Sequence, residues 1–288
     1  NKDPQGVKTL YKSKGELGEV AFELGQKSKV TPQNLSVTQV YETLMGIAEE
    51  GGKGSVEMKV SKMAKLLSHI DARSLRFVAR IPVGNLRLGF SDMTILDALS
   101  YLLVGDKGKR HEIEAAFNVN VDMGKIARMI KEKGILGVKN VRPTPSVPIR
   151  PTLAERLPSA EKILEKVGEK VAVEPKFDGL RMQVHIFENK RKKTVEFYSR
   201  NLEKVTQMFP DLVKATGKIA VNSAIFDAEA IGYDTKKDRF LPFQETVQRK
   251  RKHGIPEAAK KLPLKLFLFD ILYKNGKSLL DLPFGQRR

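Results

Sequence analysis

Apolar residues recur three and four positions apart over residues 35 to 140 and at every second position beyond residue 170, so the chain changes period part-way along. In VTQVYETLMGIAEE, Val37, Val40, Tyr41, Leu44 and Ile47 share one helical face, with Ser36 as cap and Gly51-Gly52 as stop. VEMKVSKMAKLLSHI and ARSLRFVARI predict two further helices, the second opened by Asp71. Ser91 or Asp92 can cap MTILDALSYLLV, in which Ile95, Leu96, Leu99, Leu102 and Leu103 form one apolar face. KRHEIEAAFN and, after Asp122, MGKIARMIKEK close the helical series at Gly134.

From 141 to 158 the text is VRPTPSVPIRPTLAERLP, with prolines at 143, 145, 148, 151 and 158. Prolines this dense forbid helix and central strand alike, which predicts an extended connector. Beyond it KVAVEPKF, LRMQVHIFE, KTVEFYSR, SAIFDAEAIGYD and LKLFLFDILY read as strands, with EKVTQMFPDLVKAT as a helix between two of them. A helical half followed by an α+β or mixed half is the expectation.

The 288 residues are 41% hydrophobic and 30% charged, enough for two domains with cores of their own. No window approaches the roughly 18 apolar residues of a spanning helix, and the N-terminus has no apolar signal core, so no membrane is expected and a cytoplasmic setting is. With no cysteine, disulfides, thiolate zinc sites and cysteine nucleophiles are excluded. His69, His111, His185 and His253 show no ligand spacing. Lys and Arg number 52 against 34 acidic residues, a formal +18, which favours a polyanion, foremost nucleic acid, as partner. The basic runs 189–193 and 248–254, taken singly, read as solvated loops. The chain starts at Asn1 rather than Met and stops just after a strand-like run, so it is expected to be a fragment of a longer protein.

Candidate chemistry centres on AVEPKFDGLRMQV. Asp178-Gly179 reads as a tight turn between two strands, which puts Lys176 at a strand end where its amine can enter a cleft. Met182, Val184 and Ile186 then alternate with Arg181, Gln183 and His185, leaving Arg181 on the polar side. A neutral lysine amine is a nucleophile toward carbonyl or phosphorus; a nearby cation such as Arg181 favours that form, while Glu174 and Asp178 oppose it and suit metal or substrate. On spacing alone a surface hairpin ending in a lysine is the competing account.

Lys-x-Asp-Gly-x-Arg at 176 to 181 resembles the first signature of the covalent nucleotidyltransferases. YSRN (198–201), FDAEAIGYD (226–234) and LFLFDILYKNGKSLL (266–280) follow in that superfamily's order, and PFQETVQRKRK (242–252) resembles its replicative-type DNA ligases. GNLRLGFSDMTILDAL and VPIRPTLAERL resemble the DNA-binding domain and connector of archaeal and eukaryotic-type ATP-dependent DNA ligases. The resemblance implies a multidomain α and α+β architecture. A helical DNA-binding domain over 1–142, N-terminally incomplete, and a Pro-rich connector over 143–158 would precede a truncated mixed α/β adenylation domain (nucleotidyltransferase, ATP-grasp-like) over 159–288, without the OB-fold domain.

The same resemblance implies that Lys176 attacks the α-phosphate of ATP to give lysyl-AMP, and that AMP passes to the 5′-phosphate of a nick before the 3′-hydroxyl displaces it. Glu174 would accept from the adenine amino group, Arg181 would lie by ribose and phosphate, Arg200 by phosphate or nick, and Glu229 on the ribose 2′-hydroxyl. Phe269 would stack on adenine, although Phe267, two residues away, suits that role equally. Mg²⁺ is expected, with Asp178 and Glu229 as its carboxylates. Asn85, Arg87, Gly89 and Arg200 are the expected DNA contacts, with Gly89 able to bring backbone to a phosphate or simply to turn the chain. Nicked duplex DNA is the expected substrate in replication, repair and recombination, a sliding clamp a candidate partner, and a monomer the expected state. Two alternatives remain open: an RNA ligase or capping-type enzyme, which does not predict the helical half, and a non-catalytic nick-binding module. An archaeal or bacterial source is expected, and the fragment by itself is expected to adenylylate weakly or not at all.

Overall fold

The computed structural model describes residues 3–168 and 170–288. The chain divides into two compact units, one ending at Ser91 and the other spanning Asp92–Arg288.

The first unit is helical: α1 (Pro4–Lys14), α2 (Leu17–Gln26), α3 (Val37–Glu49), α4 (Ser55–Ser68) and α5 (Ala72–Val78). The last three lie where the apolar spacing predicts, and the caps of α3 and α5 are made as the residues predict, but Val37 and Tyr41, expected on the apolar face of α3, are exposed, and Val40, Leu44 and Ile47 carry that face inward. The Ser36 side chain accepts from Gln39 N–H, with Gln39 returning the bond, and Asp71 accepts from the first turn of α5. α1 and α2 lie ahead of the periodic region and are not legible from it; α1 buries no side chain. Leu66, Ile70, Leu75 and Val78 form the core, with Val40 and Leu44 packed on them.

α2 approaches α5 closely because Gly18 has no side chain. A Cβ there would stand 2.4 Å from Arg80 Nε and 2.5 Å from the Arg76 carbonyl. That approach delivers Arg80 to Glu16, whose two carboxylate oxygens accept at 2.7 and 3.1 Å. Glu16 also caps α2 by accepting from Gly18 and Glu19 N–H. The bond to Arg80 is the main cause that holds the Glu16 carboxyl down at about 2, with burial opposing and the two backbone N–H groups assisting.

The second unit opens with α6 (Asp92–Val104), α7 (Arg110–Val119), α8 (Met123–Lys133) and α9 (Leu136–Lys139) around Leu96, Ile113, Phe117, Ile126 and Ile130. Leu102, expected on the buried face of α6, is 68% exposed. The buried stripe runs through Met93, Leu96, Ser100 and Leu103, and Leu102 sits about 100° around the helix from Leu103.

After α10 (Ala160–Val167) come β1 (Leu180–Asn189), β2 (Lys192–Ser199), α11 (Pro210–Thr216), β3 (Ala224–Asp234), β4 (Arg239–Phe240) and α12 (Phe243–Thr246). α13 (Ile255–Lys261), β5 (Leu264–Lys274), β6 (Lys277–Ser278) and α14 (Phe284–Arg287) complete the chain. The sheet runs β2-β1-β3-β5-β6 with β4 on β3, and its pairings are antiparallel throughout, with helices beside it, as an α+β half requires. The helix expected from 203 is split: Lys204 bridges to Tyr198, a single 3₁₀ turn spans Thr206–Met208, and Pro210 opens α11.

Residues 170–177 join no ladder among the described residues, so the predicted first strand is an extended segment and Asp178-Gly179 is not a hairpin turn. Met182, Val184 and Ile186 do face an apolar core with Phe197, Phe209, Leu212 and Ala228. The opposite face of β1 is also buried, and what covers it is the Pro-rich connector. Ser146 N–H donates to His185 Nδ1 at 3.1 Å, Ile149 N–H donates to Gln183 Oε1 at 2.7 Å, and Gln183 Nε2 donates to the Ile149 carbonyl at 3.2 Å. Tyr198 Oη lies 2.7 Å from the Ser146 carbonyl. An extended Pro-rich segment has no ladder of its own, so its buried backbone groups are met by side chains. The connector is also tied to α7, since Arg150 N–H donates to the Asn118 carbonyl at 2.7 Å.

Candidate active site

The segment 174–179 passes over the start of β1 and borders a cavity of about 690 Å³. Its path is fixed at two points. Gly179 N–H donates to Glu229 Oε1 at 3.1 Å, and a Cβ at Gly179 would stand 2.4 Å from the Ala230 carbonyl, so only glycine lets the segment lie against β3. The Asp178 carboxylate accepts from Phe243 N–H at 3.2 Å, which ties the segment to the start of α12. Glycine is needed here for close approach and not for a left-handed turn.

Glu174, Lys176, Asp178, Arg181, Arg200, Glu229 and Phe269 all line this cavity. Strand register explains much of the convergence. Arg181 on β1 stands opposite Glu229 on β3, so the two side chains share a face. The Arg181 guanidinium donates to Asp227 Oδ2 at 2.8 Å and lies 4.9 Å from the centroid of the Phe269 ring. Arg181, Gln183 and His185 alternate onto one face of β1: the first reaches the cavity, the other two hold the connector.

Phe269 and Phe267 are separated by a β-bulge. Ala228 pairs with Leu268 and Asp227 with Asp270, which leaves Phe269 as the extra residue on β5. The bulge turns Phe269 into the cavity, while Phe267 stacks on Phe177 with ring centroids 4.6 Å apart. Of the two aromatics, Phe269 is therefore the one lining the cavity.

Burial pushes the Glu229 carboxyl up from the ordinary range, against the Gly179 hydrogen bond and the charges of Arg181 and Lys176. Glu174 forms an ion pair with Arg288. The four cations lining the cavity, Lys176, Arg181, Arg200 and Lys250, face three carboxylates and the aromatic rings of Phe177 and Phe269, a set that suits a purine joined to phosphates. Phe243 and Lys250 line the cavity too, and neither stands out in the sequence as a site residue, although both fall within PFQETVQRKRK. Their stretch carries the signal, but which of its residues face inward depends on α12 and the 3₁₀ turn Val247–Arg249. Arg249 in the same run is 1% exposed, so residues 248–254 are not simply a solvated loop.

A family model described as the ATP dependent DNA ligase domain matches residues 151–288, and one described as the DNA ligase N terminus matches residues 1–100. The chain belongs to the ATP-dependent DNA ligase family. It is 42% identical over 283 residues to a probable DNA ligase of Dictyoglomus turgidum, covering 98% of this chain and 47% of that protein. It is 38% identical over 299 residues to a DNA ligase of Saccharolobus solfataricus, covering 100% of this chain and 49% of that protein. The chain thus spans about half the length of these ligases.

Asn85, Arg87 and Gly89 lie in the unit ending at Ser91, on an exposed segment after α5. Gly84, Arg87 and Gly89 have φ 70°, 48° and 75°, so the segment passes three times through left-handed backbone. No helix among the described residues is long and apolar enough to cross a membrane.

Proposed function

We propose that the full-length protein is an ATP-dependent DNA ligase (EC 6.5.1.1) that seals 5′-phosphate/3′-hydroxyl nicks in duplex DNA. The observation that carries this reading is the convergence of Lys176, Arg181, Arg200, Glu229 and Phe269 on one cavity from four separate stretches of chain. The Lys176 amine forms a nitrogen–phosphorus bond to the α-phosphorus of ATP as the bond to pyrophosphate breaks. The lysyl-AMP then gives AMP to the 5′-phosphate of the nick, and the 3′-hydroxyl displaces AMP to close the strand. Negative charge builds on phosphate oxygens at each step, and Arg181, Arg200 and Lys250 are placed to stabilise it. Phe269 takes the adenine face, Glu174 its amino group and Glu229 the ribose hydroxyl.

Among the described residues no group of three or more His, Asp or Glu side chains forms a ready cation cage. Asp178 and Glu229 nevertheless fit Mg²⁺, which is commonly held by one or two carboxylates together with substrate phosphates. When bound there the ion would neutralise phosphate charge. Asn85, Arg87 and Gly89, within a DNA-binding helical domain extending to residue 142, are assigned to the DNA backbone.

The test is to incubate the full-length protein with ATP and Mg²⁺ and measure its mass. An AMP-sized adduct that is absent in Lys176→Ala supports the reading, and no adduct in the wild type overturns it. Nicked DNA offered against nicked RNA then identifies the acceptor strand.

A further inference from the structure

A second hollow, of about 610 Å³, is walled by the β3–β4 hairpin, α12 with its following 3₁₀ turn, and α13. It shares a wall with the nucleotide cavity. Lys250 lines that cavity while its neighbours Arg249 and Arg251 line the hollow, and consecutive Cα atoms are only about 3.8 Å apart.

The hollow is strongly cationic. Lys236, Lys237, Arg239, Arg251, Lys260 and Lys261 line it together with Arg249, against the carboxylates of Asp234 and Glu245. Among the described residues only Arg249 of these seven is in an ion pair. Arg249 is structural: both terminal nitrogens bond Asp211, at 3.1 and 2.7 Å, and one also donates to the Leu262 carbonyl at 2.6 Å, which fixes the 3₁₀ turn against α11 and the end of α13. The Asp234 carboxylate is occupied by Lys236 and Lys237 N–H, a turn that projects both lysine side chains from the hairpin tip. The wall therefore presents six exposed cations against two carboxylates, a local excess of positive charge that favours an anion.

We propose that this hollow is a second phosphate-binding subsite, taking the backbone of the DNA strand that leaves the nucleotide cavity. A repeating polyanion matches both the spread of cations from hairpin to α13 and the shared wall. The proposal rests on the ligase reading, and it adds a binding surface that the chemistry at Lys176 does not require.

The experiment measures binding of the full-length protein to nicked duplex DNA over a range of salt concentrations. One variant carries Lys236→Ala, Lys237→Ala, Lys260→Ala and Lys261→Ala; a charge-matched variant carries Lys162→Ala, Lys166→Ala, Lys190→Ala and Lys192→Ala. In the first, the slope of log K against log salt is expected to fall by about 0.9 for each phosphate no longer neutralised, with affinity down about tenfold or more at moderate salt. Lysyl-AMP formation from ATP without DNA is expected to be unchanged. An unchanged slope, or an equal fall in the matched variant, overturns the subsite while leaving the ligase reading intact. A wild type that forms no adduct and does not bind nicked DNA overturns both.

Discussion

The two units bury a charged pair for different ends. In the helical unit, Arg80 and Glu16 join the end of α5 to the start of α2, where Glu16 also caps the helix, and Arg80 further donates to the Leu86 carbonyl at 3.4 Å. In the sheet unit, Arg249 pairs with Asp211 but also closes the Leu262 carbonyl, and Gln183 and His185 do the same for the connector. Buried polarity in the first unit chiefly ties one helix to another, whereas in the second it chiefly substitutes for a ladder along an irregular segment. Irregular segments are also what wall the candidate site, so its geometry depends on polar bonds more than on apolar packing.

That contrast can be broken by deletion. Arg249→Met removes a side chain 1% exposed that makes three hydrogen bonds, to Asp211 and the Leu262 carbonyl, and is expected to cost about 3 kcal/mol, read by denaturant unfolding. Arg80→Met is expected to cost less, about 2 kcal/mol, because Glu16, although only 9% exposed, retains its two backbone donors. Equal losses would erase the distinction. Gln183→Leu strands the N–H and carbonyl of Ile149 at about 1–3 kcal/mol and is expected to raise amide exchange over 144–150 before it affects α2. At the small end, Lys162→Ala removes an ion pair to Glu165 whose side chains are 61% and 68% exposed, and is expected to cost under about 0.5 kcal/mol.

Acid sharpens the comparison. His185 Nδ1 accepts from Ser146, so the folded ring is neutral, and burial pushes its pKa down to about 3. Its contribution is complete above the ordinary value of 6.5 and is lost as pH falls from there toward 3. Glu16, lowered from 4.5 to about 2, contributes fully above 4.5 and loses its share below it. Amide exchange followed down the pH scale is expected to show β1 and the connector loosening before α2. The reverse order would contradict the assignment of His185 as a neutral acceptor.

Local pattern makes much of this legible. The helices from Val37 to Lys133 and the strands β1, β2, β3 and β5 follow from period and caps, and the residues of the candidate site from their motifs. What escapes depends on distant partners. Gln183 and His185 read as a polar strand face because the segment that buries them lies 34 and 39 residues earlier. Residues 170–177 have the composition of a strand, but a strand exists only where another pairs with it. The role of Gly179 comes from the nearness of Ala230 and not from any turn. The choice between Phe267 and Phe269 is a matter of register, which alternation within one strand does not carry.

The extra residue on β5 makes the direction of Phe269 a matter of counting. Deleting Lys265 or Leu266 would remove the bulge at Phe269 and put the two rings, two residues apart on a regular stretch of strand, on one face, without altering the chemistry of either. A cavity wall arranged in this way tolerates exchange of one aromatic for another far better than a change in chain length.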